Sequence, residues 1–190
     1  MNTTRDQIIE TTCELLETYG YYATGLNQIL AKSGTPKGSL YYYFPEGKEE
    51  LTSEAIERTG RRVAERIKHE LSKIGDPGEA IRSFVSSIAY HVEASGFRAG
   101  GPLMIVAMET ATSSERLNLA CREAYHLLQQ AFQEKLIANA FTEARAMQLA
   151  IFINASIEGG IILSRTNHSG DPLRNVAEML GHLLNSLPRD

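Results

Sequence analysis

Apolar residues recur at three- and four-residue spacing along nearly the whole chain, and alternating β-branched runs are absent. That period belongs to helices with one buried face. Ile8, Ile9, Thr12, Cys13, Leu15, Leu16 and Tyr19 form such a stripe over about residues 4–19. Leu26, Ile29 and Leu30 form a shorter one over 26–33, and Leu40 and Phe44 anchor a third over 36–43. Longer helices are predicted over about 48–73, 78–94, 102–110, 112–139, 142–165 and 171–187. The fold class is therefore all-α, with about nine helices.

The breaks carry their own signals. Gly20 reads as a left-handed terminator, Thr24 as a cap for the second helix, and Gly34 as its end. Thr35-Pro36 opens the third helix with a capping hydroxyl and a proline at the first helical position. Phe44-Pro45-Glu46-Gly47 is a turn, and Gly75-Asp76-Pro77-Gly78 is the clearest linker. Thr112-Ser113-Ser114-Glu115 reads as a capping box, Thr142 as a further cap, and Asp171-Pro172 as the start of the last helix.

The composition suits a packed core: 43% of the 190 residues are hydrophobic. No uninterrupted apolar run reaches the ~18 residues of a spanning helix. The longest, about Ala150 to Leu163, is interrupted by Asn154, Glu158 and Gly159-Gly160. The first residues lack the basic-then-apolar order of a signal peptide. A cytoplasmic protein with no membrane partner is expected. Cys13 and Cys121 match no metal-ligand spacing and read as small buried hydrophobes, with a redox sensor as the alternative.

A net charge of −4 argues against nucleic acid, but its distribution argues the other way. Thr18 to Pro45 contains no Asp or Glu, yet holds Lys32, Lys37 and six of the eight tyrosines, and Lys48 follows. Salt screens charge beyond ~10 Å, so local charge is what a phosphate meets. Within this window the third helix begins with small and cationic residues, Lys37, Gly38 and Ser39, then carries Tyr41, Tyr42 and Tyr43. Hydroxyls and ammonium groups donate to phosphate oxygens. A preceding helix joined through Ser33-Gly34-Thr35 completes a helix-turn-helix. A plain helical hairpin is the competing reading, but it has no need of a glycine in the first turn and three tyrosines behind it.

The runs Thr24-Gly25-Leu26-Asn27-Gln28-Ile29-Leu30-Ala31-Lys32-Ser33-Gly34, Lys37-Gly38-Ser39-Leu40-Tyr41-Tyr42-Tyr43-Phe44 and Lys48-Glu49-Glu50-Leu51 resemble the TetR family of repressors. Within it, Pro45-Glu46-Gly47-Lys48, Gly101-Pro102-Leu103 and Glu158-Gly159-Gly160 look like the LmrA/YxaF branch. Leu30 departs from the alanine common at that position. The resemblance implies a helix-turn-helix DNA-binding domain at 1–50 and a helical ligand-binding and dimerisation domain at 51–190. It implies base or adjacent phosphate contacts from Lys37, Gly38 and Ser39, and backbone contacts from Tyr41 and Tyr43. Thr24 and Lys48 match phosphate-contacting positions, and Asn27 lies where some relatives reach a base. The expected partners are double-stranded operator DNA, a small aromatic or lipophilic effector that releases it, and a second copy of the chain.

The remaining helices show no enzymatic constellation. The five histidines are scattered, with no metal-ligand spacing and no cofactor motif. No catalytic role, metal or cofactor is expected. A mainly apolar pocket with a few polar groups draws on Phe84, Tyr90, His91, Phe97, Met104, Met108, Tyr125, Phe132 and Glu158. The family resemblance tips the stripes Ile151, Ala155, Gly159, Ile162 and Val176, Leu180, Leu183, Leu184 from intramolecular core to a dimer interface. The rival reading is a helical small-molecule-binding protein or enzyme with a vestigial helix-turn-helix. Lys48→Ala should weaken binding to all DNA sequences alike, whereas Lys37→Ala should also relax base preference. Titration of cognate and mismatched duplexes separates the two outcomes.

Overall fold

The structure is a computed structural model that describes residues 3–188. Among these residues there are nine helices and no strand: α1 (Thr4–Ala23), α2 (Leu26–Ser33), α3 (Lys37–Tyr43), α4 (Lys48–Ser72), α5 (Pro77–Ala94), α6 (Pro102–Thr110), α7 (Glu115–Ile137), α8 (Glu143–Asn167) and α9 (Asp171–Ser186). The described residues form two compact units, one of 3–61 with 101–125, the other of 62–100 with 126–188. Neither unit follows chain order, because α6 and the start of α7 pack with the first three helices.

In the first unit α1 starts with a capping box: Asp6 N–H donates to Thr3 Oγ1 at 3.1 Å, and Thr3 N–H donates to the Asp6 carboxylate at 3.2 Å. The expected stripe is buried from Ile8 to Leu16, but Tyr19 is 52% exposed. α1 also passes Gly20, where φ is 76° and ψ −176°, and resumes as one further turn to Ala23. Gly20 is thus a break inside a helix, in a backbone region that only glycine occupies readily. Arg58 of α4 donates to Asp6 at 2.7 Å and lies 3.1 Å from Glu10, tying α4 along α1.

Three expected caps differ. Thr24 is not the cap of α2; Gly25 is, and the Thr24 hydroxyl donates to the Gly20 carbonyl at 2.7 Å. Pro36, not Thr35, precedes α3, and the Thr35 hydroxyl meets Ser33 Oγ at 2.7 Å. Both threonine hydroxyls are turned toward the preceding turn and away from the N–H groups of the helix that follows. At α7 the cap is Ser114, which accepts from Leu117 N–H at 3.1 Å, two residues later than the expected box. Thr142 does cap α8, accepting from Arg145 N–H at 3.4 Å.

The second unit packs α5 on α9 and both on α8. Asp76 caps α5 through Glu79 N–H at 2.9 Å. Phe84 and Phe132 meet edge-to-face at 6.0 Å in its core. Glu93 at the end of α5 receives two bonds from Arg174 of α9, at 2.8 and 2.9 Å. α8 differs from the reading of an interrupted apolar run: its 25 residues are long and apolar enough, by length and composition, to cross a membrane. Only 44% of that window is buried. Ala146, Leu149, Ile153, Ile157 and Ile161 face the core, while Met147, Ile151, Phe152, Ile162 and Leu163 are exposed. The helix is apolar on two sides, and its own chain covers one.

The hydrogen bonds from Thr3 and Arg58 hold the Asp6 carboxyl near pKa 2, below the ordinary 3.8. A carboxylate depressed on folding stabilises above its unfolded pKa and loses that contribution as pH falls through the folded one. Asp6→Asn should therefore lower the melting temperature at pH 7. The difference should begin to shrink at about pH 5 and disappear only below the folded pKa of about 2; thermal unfolding across that range checks it.

Candidate nucleic-acid interface

α3 is only seven residues long. A helix that short does not persist in water, so packing must hold it. Leu40 and Phe44, one turn apart, are both fully buried. The Arg5 guanidinium sits 5.4 Å over the Phe44 ring and pairs with Glu54, closing the cover from α1 and α4. Phe44 N–H returns to the Leu40 carbonyl at 2.8 Å.

The turn before α3 is equally constrained. Gly34 closes α2 in the left-handed conformation, φ 65° and ψ 18°, with its N–H on the Leu30 carbonyl at 3.0 Å. Gln7 of α1 donates to the Ser33 carbonyl at 2.7 Å. The angle between α2 and α3 is thus held by α1 as well as by the turn itself.

What α3 leaves outside is Lys37, Gly38, the edge of Ser39, and Tyr41, Tyr42 and Tyr43. Tyr42 is 79% exposed and Tyr41 46%; Tyr43 is half-buried against Phe44, its ring 6.5 Å away. The Lys37 ammonium lies 5.9 Å over the Tyr41 ring. Around Gly38 nothing stands within 4 Å of where a Cβ would be, so the surface there is open to a ligand's close approach. Asn27 on α2 is exposed. Tyr42, the most exposed of these aromatics, is not among the contacts that the resemblance implies; with three tyrosines in a row, only the packing of Leu40 and Phe44 decides which one faces out.

Two of the expected contact residues have partners within the chain. Thr24 is fully buried, its hydroxyl on Gly20 and its N–H on the Tyr21 carbonyl at 3.2 Å. Its geometry supports a role in shaping the α1–α2 turn rather than in touching a phosphate. Lys48 opens α4, but its ammonium donates to the Tyr21 carbonyl at 2.6 Å and rests 4.1 Å over the Tyr21 ring. Partial burial pushes its pKa down, and the nearby Glu109 carboxylate counters that.

The pocket candidates fall in both units. Met104, Met108 and Tyr125 belong to the first, and Phe84, Tyr90, His91, Phe97, Phe132 and Glu158 to the second. Met108 and Tyr90 are 73% and 69% exposed, and His91 is exposed as well. Phe84 and Phe132 are buried and packed on each other, while Phe97 is half-buried with its ring 5.2 Å from His168. Met104, Tyr125 and Glu158 are half-buried.

Of the interface candidates, Ile151, Ala155 and Ile162 are exposed, and Gly159, Val176 and Leu183 are partly so. Leu180 and Leu184 are instead core residues, at 2% and 0% exposure. Residue counting along α9 places all four apolar positions on one stripe, but α5 covers the half that carries these two. Gly160 fits α9 closely, since a Cβ there would stand 2.9 Å from Leu173, whereas Gly159 faces open space. Phe152, Ser156, Asn175, Val176, Met179, Leu180 and Leu183 line a groove of about 420 Å³ between α8 and α9.

Comparison with known proteins finds matches in both halves of the chain. Residues 8–55 match the model of the bacterial regulatory proteins of the tetR family, and residues 77–179 match the C-terminal domain of LmrA/YxaF-like transcriptional regulators. The HTH-type transcriptional regulator YxaF of Bacillus subtilis is 43% identical over 176 residues, covering 93% of this chain and 92% of its own. LmrA of the same organism, also an HTH-type transcriptional regulator, is 38% identical over 180 residues, covering 95% and 96%. The crystal structure of reduced NemR from E. coli superposes with a TM-score of 0.82 at 22% identity, covering 93% of this chain and 94% of the other. That last likeness speaks to the fold alone. A short helix held from below with its lysine and phenols outward, and sequence identity running across both halves, lead to one conclusion: the chain belongs to the TetR family of helix-turn-helix transcriptional regulators, on the LmrA/YxaF-like side.

Proposed function

We propose that the chain is a cytoplasmic, homodimeric repressor that binds operator DNA through α3 and releases it when a small apolar molecule binds the helical domain. One observation carries the DNA reading: a seven-residue helix is held rigidly by Leu40 and Phe44 while Lys37, Gly38, Tyr41 and Tyr42 stay open to solvent. A vestigial helix-turn-helix would have no reason to keep that division. Lys37, Gly38 and Ser39 would meet base edges or the phosphates beside them, Tyr41 and Tyr43 the backbone, and Asn27 a base. Residues 1–50 act as the DNA-binding domain in this reading, and 51–190 bind the effector and dimerise.

The dimer reading draws on the second apolar side of α8. Ile151, Phe152, Ile162 and Leu163, with Met179 of α9, are each more than 40% exposed. Together with Gly159, which leaves room for close approach, they offer a second copy a contiguous apolar face. A dimer would present two α3 helices about one turn of DNA apart, ~34–36 Å. The effector class rests on family analogy.

Selection of duplexes by the wild-type protein from a randomised pool tests the DNA reading; failure to enrich any sequence at low salt sinks it. Lys37 gives two cations per dimer on the outer face of α3, and Lys32 and Lys48, which already hold Glu14 and the Tyr21 carbonyl, add at most four more, so log K against log salt should fall with a slope no steeper than about −5. Lys37→Ala should cut affinity with little change in melting temperature. Lys48→Ala should lower both, because its ammonium also holds the Tyr21 carbonyl. Phe152→Asp should convert dimer to monomer in sedimentation velocity, since it would bury an unpaired carboxylate in an apolar interface. DNA affinity should fall with it, and a Phe152→Asp protein that stays dimeric would remove this face from the interface.

A further inference from the structure

The backbone of Tyr21 is gripped at its N–H and at its carbonyl by side chains from other helices. Its N–H donates to Glu109 Oε2 of α6 at 2.5 Å, and the next N–H, of Tyr22, reaches the same oxygen at 3.3 Å. Its carbonyl accepts from the Lys48 ammonium of α4 at 2.6 Å and from Thr24 N–H at 3.2 Å. Both grips act beside Gly20, whose φ of 76° and ψ of −176° interrupt α1. A Cβ at Gly20 would stand 2.6 Å from Glu109 Oε1 and 2.9 Å from Ile105. α6 therefore lies directly against the break.

Gly20 turns the chain off the helical path, and the N–H groups that follow, Tyr21's part-buried and Tyr22's at the surface, find a shared acceptor in Glu109. A carboxylate is the strongest acceptor a side chain can offer them. The other end of α6 is also tied to α1, through Gly101 N–H on Glu17 Oε1 at 2.9 Å. α6 thus spans the break as a splint. What leaves the break is the turn into α2, then the turn into α3, so the direction of the chain at Gly20 sets where α3 starts.

We propose that Glu109 is a positioning residue for DNA binding: from α6, its carboxylate holds the α1 break at Gly20–Tyr22 and thereby sets the orientation of α2 and α3. The proposal rests on α3 being the DNA-binding helix. Lys48 works with it from the opposite side, holding the carbonyl of the residue whose N–H Glu109 holds. Glu109 itself touches no DNA in this arrangement.

The test compares Glu109→Ala, Glu109→Gln and, as a stability control in the other unit, Thr142→Ala at the cap of α8. Three quantities are read on the full-length protein: amide hydrogen exchange at Tyr21 and Tyr22, melting temperature, and affinity for the duplex that the wild type selects. Glu109→Ala should speed exchange at those two amides and weaken DNA binding, each by about tenfold or more, as expected when a charge-assisted hydrogen bond is lost. Glu109→Gln retains one acceptor oxygen and should recover most of both. Thr142→Ala should lower the melting temperature while leaving Tyr21 and Tyr22 exchange and DNA affinity at wild-type values. Unchanged exchange at Tyr21 and Tyr22 in Glu109→Ala overturns the proposal, whatever happens to DNA binding. So does a loss of affinity in Thr142→Ala matching that of Glu109→Ala at equal melting temperature, because stability alone would then explain it. If the wild type selects no duplex, the DNA reading fails and the positioning role falls with it. If the wild type binds and Glu109→Ala binds equally well, only the positioning role fails.

Discussion

Burial of Leu40 and Phe44 is the constraint on which the rest of the first unit depends. Seven residues cannot sustain a helix in water, because nucleation costs more than so few hydrogen bonds return. α3 exists because two side chains, one turn apart, are locked beneath it. Everything around them serves that lock: α1 passes below, Arg5 covers the Phe44 ring, and Gln7 holds the turn that leads in. The same division makes the outer face available. With the apolar residues committed inward, Lys37, Tyr41 and Tyr42 have nowhere to go but solvent.

The second unit is built around an opposite circumstance. α8 carries more apolar surface than its own chain can cover. A helix apolar on two sides is stable only with a partner on each, whether another part of the chain, a second chain or lipid. Here one side packs into the unit, and the other continues across a groove onto α9. That uncovered side is the face the proposed dimer would bury.

The two units are not two stretches of sequence. α6 and the first half of α7 belong with α1–α3, so the part of the chain that reads as DNA-binding is completed by residues 65 to 91 positions away. Glu109 holding Tyr21 and Tyr22, Ser113 meeting Tyr22, and Ser114 bonding Glu49 are the ties that do this. None of them leaves a local pattern, since each joins a backbone group or side chain to a partner that spacing alone cannot name.

Local chemistry explains what was legible. The nine helices, their approximate ends and the glycine turn at Gly34 follow from periodicity and backbone preference, which act within a few residues. The inward face of α3 and the family itself were legible for the same reason: Lys37 to Phe44 is a contiguous motif. Long-range packing decided the rest. It turned Thr24 from a cap into a buried bond to Gly20, drew Lys48 onto the Tyr21 carbonyl, and left Tyr42 the most exposed of three identical neighbours. It sent Leu180 and Leu184 into the core while Ile151 and Ile162, on an equally apolar stripe, stayed outside. A sequence records that a residue is apolar or can donate a hydrogen bond; which neighbour receives it depends on what the fold brings across from far along the chain.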